Sequence, residues 1–389
     1  MKYLQQVQVN FRYDVVFTRD LFASQNHTLA NVLPKLSQPA RMAFFIDQGV
    51  LDHWPNLIER IQTWALAHGE KVLLPERPMA VPGGEEVKNN LVFVQRMTHQ
   101  FQRQQLCRHS YVVAIGGGAV LDAVGLAAAV FHRGIRLIRV PTTVLSQDDS
   151  AVGVKNGINL DGIKNLIGTF APPYAVLNDA MFLETLDERD WSGGLSEAFK
   201  VALIKDAELL GELENSAAKL KERDLDAMER IVQRCAILHL QHIATGGDAF
   251  EMGSARPLDF GHWSAHKLEG MTNFELRHGE AVAIGIALDL YCASRLGFIT
   301  EAERDRVCGA MRRCGMRLWH PALSRRSTAT GTLQVVAGLE EFRQHLGGEL
   351  TLTMPDGLGK KREIHELSPQ LVEDGVAWLS AAQTKTMSV

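Results

Sequence analysis

No segment of the sequence approaches the ~18 consecutive apolar residues that span a bilayer. The N-terminal stretch Met1–Phe17 alternates apolar and polar residues where a signal peptide would carry a continuous apolar core. Cysteine is scarce: Cys107, Cys235, Cys292, Cys308 and Cys314 are odd in number and have no CxxC spacing. That excludes a disulfide-stapled secreted scaffold and predicts reduced, mostly buried thiols in a cytoplasmic protein. Charge of one sign is concentrated nowhere; the net charge is −4 with Lys and Arg dispersed along the chain. Neither nucleic acid nor a membrane surface is therefore an expected partner. No internal repeat is visible.

What is present is the composition of a folded enzyme, with 46% hydrophobic and 22% charged residues and 33 glycines. A length of 389 residues exceeds the size at which one hydrophobic core stops growing, so two domains and a cleft are expected. Through about residue 185, short apolar runs alternate with helical patterns. Runs at 42–46, 71–74, 111–115 and 136–140 read as buried parallel strands of an α/β domain. Beyond residue 186 the texture changes to long helical patterns at 195–204, 224–243 and 280–296. The expected organisation is an α/β domain over 1–185 and a helical domain over 186–389.

The run 111–115 leads into Gly116-Gly117-Gly118 and then a helical pattern, the strand, glycine turn and helix N-terminus of a phosphate-binding corner. Leu121 stands where a GxGxxG fingerprint requires its third glycine, so a plain tight turn fits the glycines equally well. Asp47 closes another strand where a ribose-binding carboxylate often sits, and Pro141-Thr142-Thr143 closes a third with hydroxyls. His262 and His266 are spaced i, i+4 on one helical face, and His278 opens a further helix. With Glu197 supplying a carboxylate oxygen, two histidines and one acid leave metal positions open for substrate. Arg133, Lys155, Lys164 and Lys200 lie beside glycines, Asn165 or Glu197; taken singly, each also fits a solvated surface.

These motifs together resemble the sugar phosphate cyclases, the superfamily that includes 3-dehydroquinate synthase. The resemblance runs from about Asp47 to His365. Gly84-Glu85 with Lys88 is similar to the GExxK segment, Gly116 to Asp122 to the GGGxxxD turn, and Arg133-Gly134 to the RG step. Pro141-Thr142-Thr143, Asp149-Ser150, Lys155, Lys164-Asn165, Glu197 to Lys200, Gly261-His262, His266 and His278-Gly279-Glu280 continue the series. The resemblance implies a Rossmann-like N-terminal domain holding NAD and an all-α C-terminal domain holding zinc or cobalt. It implies Glu197, His262 and His278 as metal ligands. Asp47, Glu85, Lys88, Gly117, Gly118, Asp122, Thr142, Thr143, Asp149, Lys164 and Thr185 would border NAD. Arg133, Lys155, Asn165, Lys200 and His266 would face the substrate and its phosphate, the arginine usually coming from the partner subunit of a homodimer.

The implied reaction converts a seven-carbon sugar phosphate to a carbocycle with loss of phosphate, by transient oxidation, elimination, reduction, ring opening and intramolecular aldol closure. Before its GH step the quinate enzyme usually reads R-x-L-L-N; here the stretch is Arg256-Pro257-Leu258-Asp259-Phe260. This weaker cation set makes a carboxylated heptulosonate phosphate a less natural substrate. The segment 152–159 and the tail 346–366 lean toward relatives that cyclise sedoheptulose 7-phosphate, the 2-epi-5-epi-valiolone synthases. The retained His266, a proline in many of them, leans away, so the substrate is either a heptulosonate 7-phosphate or sedoheptulose 7-phosphate. The roles of Lys360, Lys361 and His365 stay open. The alternative is a metal-dependent polyol dehydrogenase of the glycerol dehydrogenase type. Its substrate would not require the four cations. A non-catalytic relative is a further alternative, opposed by the retention of all three presumed ligands.

Overall fold

The computed structural model describes residues 1–389 apart from Leu36, Gly162, Gly247, Asp248, 251–256 and 387–389, and apart from the side chains of Pro257, His345, Lys385 and Thr386. Arg256 thus lies outside the described residues. Contacts divide the chain into two units: Met1–Thr142 with Ser150–Phe182, and Thr143–Asp149 with Leu183–Val389. The short segment Thr143–Asp149 therefore groups with the helical unit, although it lies well before residue 186.

The first unit is built on strands β1 (Asp14–Thr18), β2 (Ala40–Asp47), β3 (Val72–Leu73), β4 (Met79–Val81), β5 (Tyr111–Gly116), β6 (Arg136–Pro141), β7 (Lys155–Leu160), β8 (Ile163–Phe170) and β9 (Ala175–Asp179). Its helices are α1 (Thr28–Asn31), α2 (Gln48–His53), α3 (Leu57–Ala67), α4 (Leu91–Arg103) and α5 (Gly118–Val130). The main sheet runs in the order β1-β9-β6-β5-β2-β3, with β4 also pairing β2. Every pair in it is parallel. All six residues of β5 are buried, as a central parallel strand covered on both faces requires. Helix α5 is apolar on almost every side and buried accordingly. Its Gly125 lets Asn156 approach so closely that a Cβ there would lie 1.9 Å from Asn156 Oδ1.

From β2 the chain order proceeds to β3 and β4 on one side, and from β5 to β6 and β9 on the other. The carboxyl ends of β2 and β5 therefore flank a topological switch point, where open α/β sheets form a crevice. Strands β7 and β8 form a separate antiparallel hairpin.

The second unit contains α6 (Glu188–Lys205), α7 (Ala207–Lys221), α8 (Leu225–Thr245), α9 (His262–Met271), α10 (His278–Arg295), α11 (Glu301–Arg313), α12 (Ala337–His345) and α13 (Pro369–Thr386). It also has one antiparallel hairpin of β10 (Leu352–Pro355) and β11 (Lys361–Ile364), an addition to the all-α expectation. Asp187, Asp206 and Asp224 cap α6, α7 and α8 by accepting backbone N–H bonds, each such cap contributing about 1 kcal/mol. Helix α6 is buried from Trp191 through Ile204. It meets α10 at paired glycines, where a Cβ on Gly279 would lie 2.3 Å from Gly193 O. A second glycine contact docks the start of α9 on α10, since a Cβ on Gly285 would lie 2.0 Å from Gly261 O. Gly261 has φ +80°, a left-handed conformation that favours glycine. No described helix is long and apolar enough to cross a membrane.

Candidate active site

The two glycine contacts bring the N-termini of α9 and α10 against the middle of α6. His262 and His278 are the first residues of their helices, and Glu197 lies one turn beyond Gly193. Glu197 Oε1 is 3.7 Å from His262 Nε2 and 3.9 Å from His278 Nε2. Glu197 is fully buried and Oε1 has no hydrogen-bond partner among the described residues. Both rings commit their other nitrogen: His262 Nδ1 is 3.1 Å from Phe260 O, and His278 Nδ1 is 3.3 Å from Glu269 Oε2. Each Nε2 is thereby left as the lone-pair nitrogen aimed at Glu197. Two imidazole nitrogens and an orphaned carboxylate oxygen, all within 4.8 Å of one another, fit a zinc- or cobalt-class cation with open positions.

Around this trio the charges are dense. Lys200, one turn after Glu197, pairs with its carboxylate and stands 3.9 Å from Asp149 Oδ1. Burial opposes the charge on Lys200, but Glu197 and Asp149 outweigh it and hold the ammonium protonated. Burial also opposes ionisation of Asp149, yet Lys200 and His239 keep that carboxyl well below the usual range. Burial, partly offset by Lys200, pushes the Glu197 carboxyl up. Burial and then Lys200 keep the His262 imidazole neutral. The ring of His266 lies 5.5 Å from that of His262 and stacks on His278 at 6.0 Å. Desolvation of its ring and these two neighbours lower its pKa to about 3.

Two groups here carry no motif. His239 of α8 places Nδ1 2.8 Å from Asp149 Oδ1, a close contact without hydrogen-bond alignment. Glu269, 2% exposed, orients His278; only its position one helical turn after His266 hinted at it. Asp259 forms part of a 3-10 turn and acts electrostatically on Lys200 and His266. Thr143 Oγ1 bonds Ser146 Oγ at 2.8 Å, and Thr185 ends a 3-10 turn, half-buried.

In the first unit, Asp47 at the end of β2 accepts from Gly49 N at 2.8 Å, and the backbone of Gly117, the N-cap of α5, also favours its ionised form. Burial nevertheless raises its pKa. Gly83 passes so close that a Cβ there would lie 2.0 Å from Asp47 Oδ1. Gly117 and Gly118 thus present the α5 N-terminus at the switch point, beside buried Thr142, whose N–H reaches Gly116 O at 3.1 Å. Lys88 donates to Asp122 Oδ2 at 2.8 Å and Asn165 Oδ1 at 2.6 Å. Asn159, absent from the sequence expectations, donates to Glu85 Oε1 at 3.0 Å and Asn89 Oδ1 at 2.8 Å and accepts from Asn165 N at 2.9 Å. Glu85, Lys88, Asp122 and Asn165 are therefore one network.

Lys155 opens β7 and Lys164 lies on β8. Arg139, sealed inside β6, donates to Ala151 O, Gly153 O, Lys155 O and Asn156 Oδ1, each at 2.8 Å, and fixes the entry to that hairpin. Arg133 is exposed, follows His132 in left-handed backbone, and joins neither cluster. In the tail, Lys361 pairs with Glu363 at 2.9 Å and His365 Nδ1 lies 2.9 Å from Leu350 O, while Lys360 lies just before β11.

Residues 78–193 match the family profile described as 3-dehydroquinate synthase N-terminal, and residues 194–335 the profile described as 3-dehydroquinate synthase C-terminal. The chain belongs to the 3-dehydroquinate synthase family of sugar phosphate cyclases. Within this family it is 34% identical over 306 residues to a 2-epi-5-epi-valiolone synthase of Streptomyces albus, covering 77% of this chain and 72% of that protein. It is 30% identical over 359 residues to a 3-dehydroquinate synthase of Streptococcus equi subsp. equi, covering 91% and 93%. Among solved structures of sugar phosphate cyclases, ValA, the 2-epi-5-epi-valiolone synthase of Streptomyces hygroscopicus subsp. jinggangensis with NAD+ and Zn2+ bound, superposes with TM-score 0.86 at 30% identity. That match covers 98% of this chain and 100% of that one.

Proposed function

We propose that this protein is a carbon–oxygen lyase that cyclises a seven-carbon sugar phosphate to a carbocycle with elimination of phosphate, using NAD and a divalent metal. The observation that carries the reading is the meeting of Glu197 Oε1 with the Nε2 atoms of His262 and His278. Those three residues would hold zinc or cobalt, with Phe260 O and Glu269 fixing the two rings. The α5 N-terminus would take the pyrophosphate of NAD and Asp47 a ribose hydroxyl, with the Lys88 network bracing the corner. When bound, NAD and the metal would supply reversible hydride exchange and polarisation of a substrate oxygen.

Lys155, Asn165, Lys200 and His266 are assigned to the substrate and its phosphate, where cations favour departure of the leaving group, and Lys164 to the NAD side. A simple polyol has no use for this set, which disfavours the dehydrogenase reading. Arg133 is assigned to the partner's site in a homodimer. The reduced thiols, none of them paired, fit a cytoplasmic enzyme.

Between the two seven-carbon substrates we favour sedoheptulose 7-phosphate, which lacks a carboxylate. Asp259 places a negative charge within electrostatic reach of Lys200 and His266, and such a charge repels a carboxylated heptulosonate. Full-length protein with NAD and Zn2+ should release phosphate and form a cyclic product from sedoheptulose 7-phosphate, and do so poorly from the heptulosonate phosphate. The reverse preference would overturn the substrate assignment; release from neither, with NADH accumulating on a polyol, would overturn the cyclase reading.

A further inference from the structure

Asp289 is 1% exposed, on α10 about three turns beyond His278, and has no role in the chemistry above. Its neighbours Ala287, Leu288 and Leu290 are buried and apolar, so a carboxyl group there is costly unless hydrogen-bonded. No ion pair reaches it among the described residues. Its two oxygens accept instead from Trp263 Nε1 at 2.8 Å and Gly261 N at 3.1 Å. These donors stand immediately after and before His262 in the chain.

The Gly261 N–H belongs to the same rigid peptide plane as the Phe260 carbonyl, and that carbonyl is the partner of His262 Nδ1. A carboxylate on the helix that begins with His278 thus holds one end of a peptide whose other end orients His262. Gly261 occupies a left-handed conformation and packs so near α10 that a Cβ there would lie 2.8 Å from Ile286 Cγ1 and 2.9 Å from Ile286 N. The plane therefore has little freedom once its N–H is held.

We propose that Asp289 is a positioning residue of the metal centre, acting through the Phe260–Gly261 peptide and Trp263 to set His262 against His278. The proposal rests on the metal reading above. Partners of metal-ligating histidines typically alter metal affinity by about 10–100-fold when changed, and a carboxylate acting through one peptide plane belongs to that class.

The test uses metal-stripped full-length protein titrated with Co2+, followed by its visible absorption spectrum, with Zn2+ measured by competition. Asp289→Asn should bind both ions about 10–100-fold more weakly and shift the Co2+ bands, because its amide NH2 must face either the indole N–H or the Gly261 N–H. Adding Trp263→Phe should restore part of the affinity, a coupling that a merely space-filling Asp289 would not show. If Asp289→Asn does not fold, Asp289→Leu with Trp263→Phe removes the carboxylate together with the indole N–H, leaves the Gly261 N–H as the one donor without its acceptor, and carries the same test. A folded variant of either kind with wild-type Co2+ affinity and spectrum would overturn the role of Asp289. Wild-type protein that takes up no Co2+ would overturn the metal reading itself.

Discussion

Two lysines, one in each unit, show how differently a buried cation can be used. Lys88 is inside the first unit, its side chain 7% exposed, and donates to Asp122 and Asn165 in a network that continues through Asn159 to Glu85 and Asn89. Every group in that chain meets a partner from the same unit. Lys200, 3% exposed, pairs with Glu197 beside Asp149, yet Glu197 Oε1 and both oxygens of Asp148 remain buried without a hydrogen-bond partner among the described residues. Burial pushes the Asp148 carboxyl far up as well. The first network completes itself and braces a scaffold. The second has more buried acceptor capacity than its own donors satisfy, which is the condition of a site that receives a cation.

The contrast is tested most strongly by Glu197→Gln. Product formation should fall below detection and metal affinity by at least ~100-fold, since even outer-shell changes cost about 10–100-fold, with the urea midpoint unchanged or higher. A large loss of stability with metal affinity intact would reverse the comparison. Lys88→Met is expected to do the opposite. It should destabilise the fold near the lower end of the ~3–5 kcal/mol seen when a buried pair loses one partner, since Asp122 is 21% exposed, with Co2+ affinity of the second unit unchanged. A matched urea titration of both variants, with and without metal, separates the cases.

A smaller effect concerns pH. Burial pushes the Asp289 carboxyl up to about 7 from an ordinary value of 3.8. The folded state therefore binds this proton more tightly than the unfolded chain. Its contribution to stability is complete below the ordinary carboxyl range and is lost as pH rises through about 7. Asp289→Asn should flatten that part of the stability profile; an unchanged slope between pH 4 and 7 would show that Asp289 ionises without penalty. Smallest of all, Asn159→Ala should cost about 1 kcal/mol, because Glu85 and Asn89 can turn to water. A loss several times larger would mean that the first network is more cooperative than its separate bonds.

Much of the first unit was legible because central parallel strands, covered on both faces, appear as apolar runs; β2 and β5 do so, and β6 does so with only Arg139 interrupting it, whereas β3 is a two-residue edge strand whose Leu73 is exposed. The β7–β8 hairpin was not, because its pairing depends on Gly157 facing Gly168, where a Cβ on Gly168 would lie 2.7 Å from Asn156 O. Neither glycine stands in an apolar pattern. In the second unit, α6, α8 and α10 were visible by periodicity, and Glu197, His262 and His278 stood out by residue type. His239, Glu269 and Asp289 did not, since their roles come from helix crossings, and those are governed by the Gly193–Gly279 and Gly261–Gly285 contacts. Small residues announce close approach only when the partner is known.

The grouping of Thr143–Asp149 with the helical unit bears on any attempt to recombine this enzyme with its relatives. A single splice near residue 183 would deliver Asp149 with the wrong parent and leave the Lys200 and His239 of the recipient facing whatever that parent carries. Chimaeras of this family need two exchanged blocks, a seven-residue insert and the C-terminal half, if the acid and its basic neighbours are to share one ancestry.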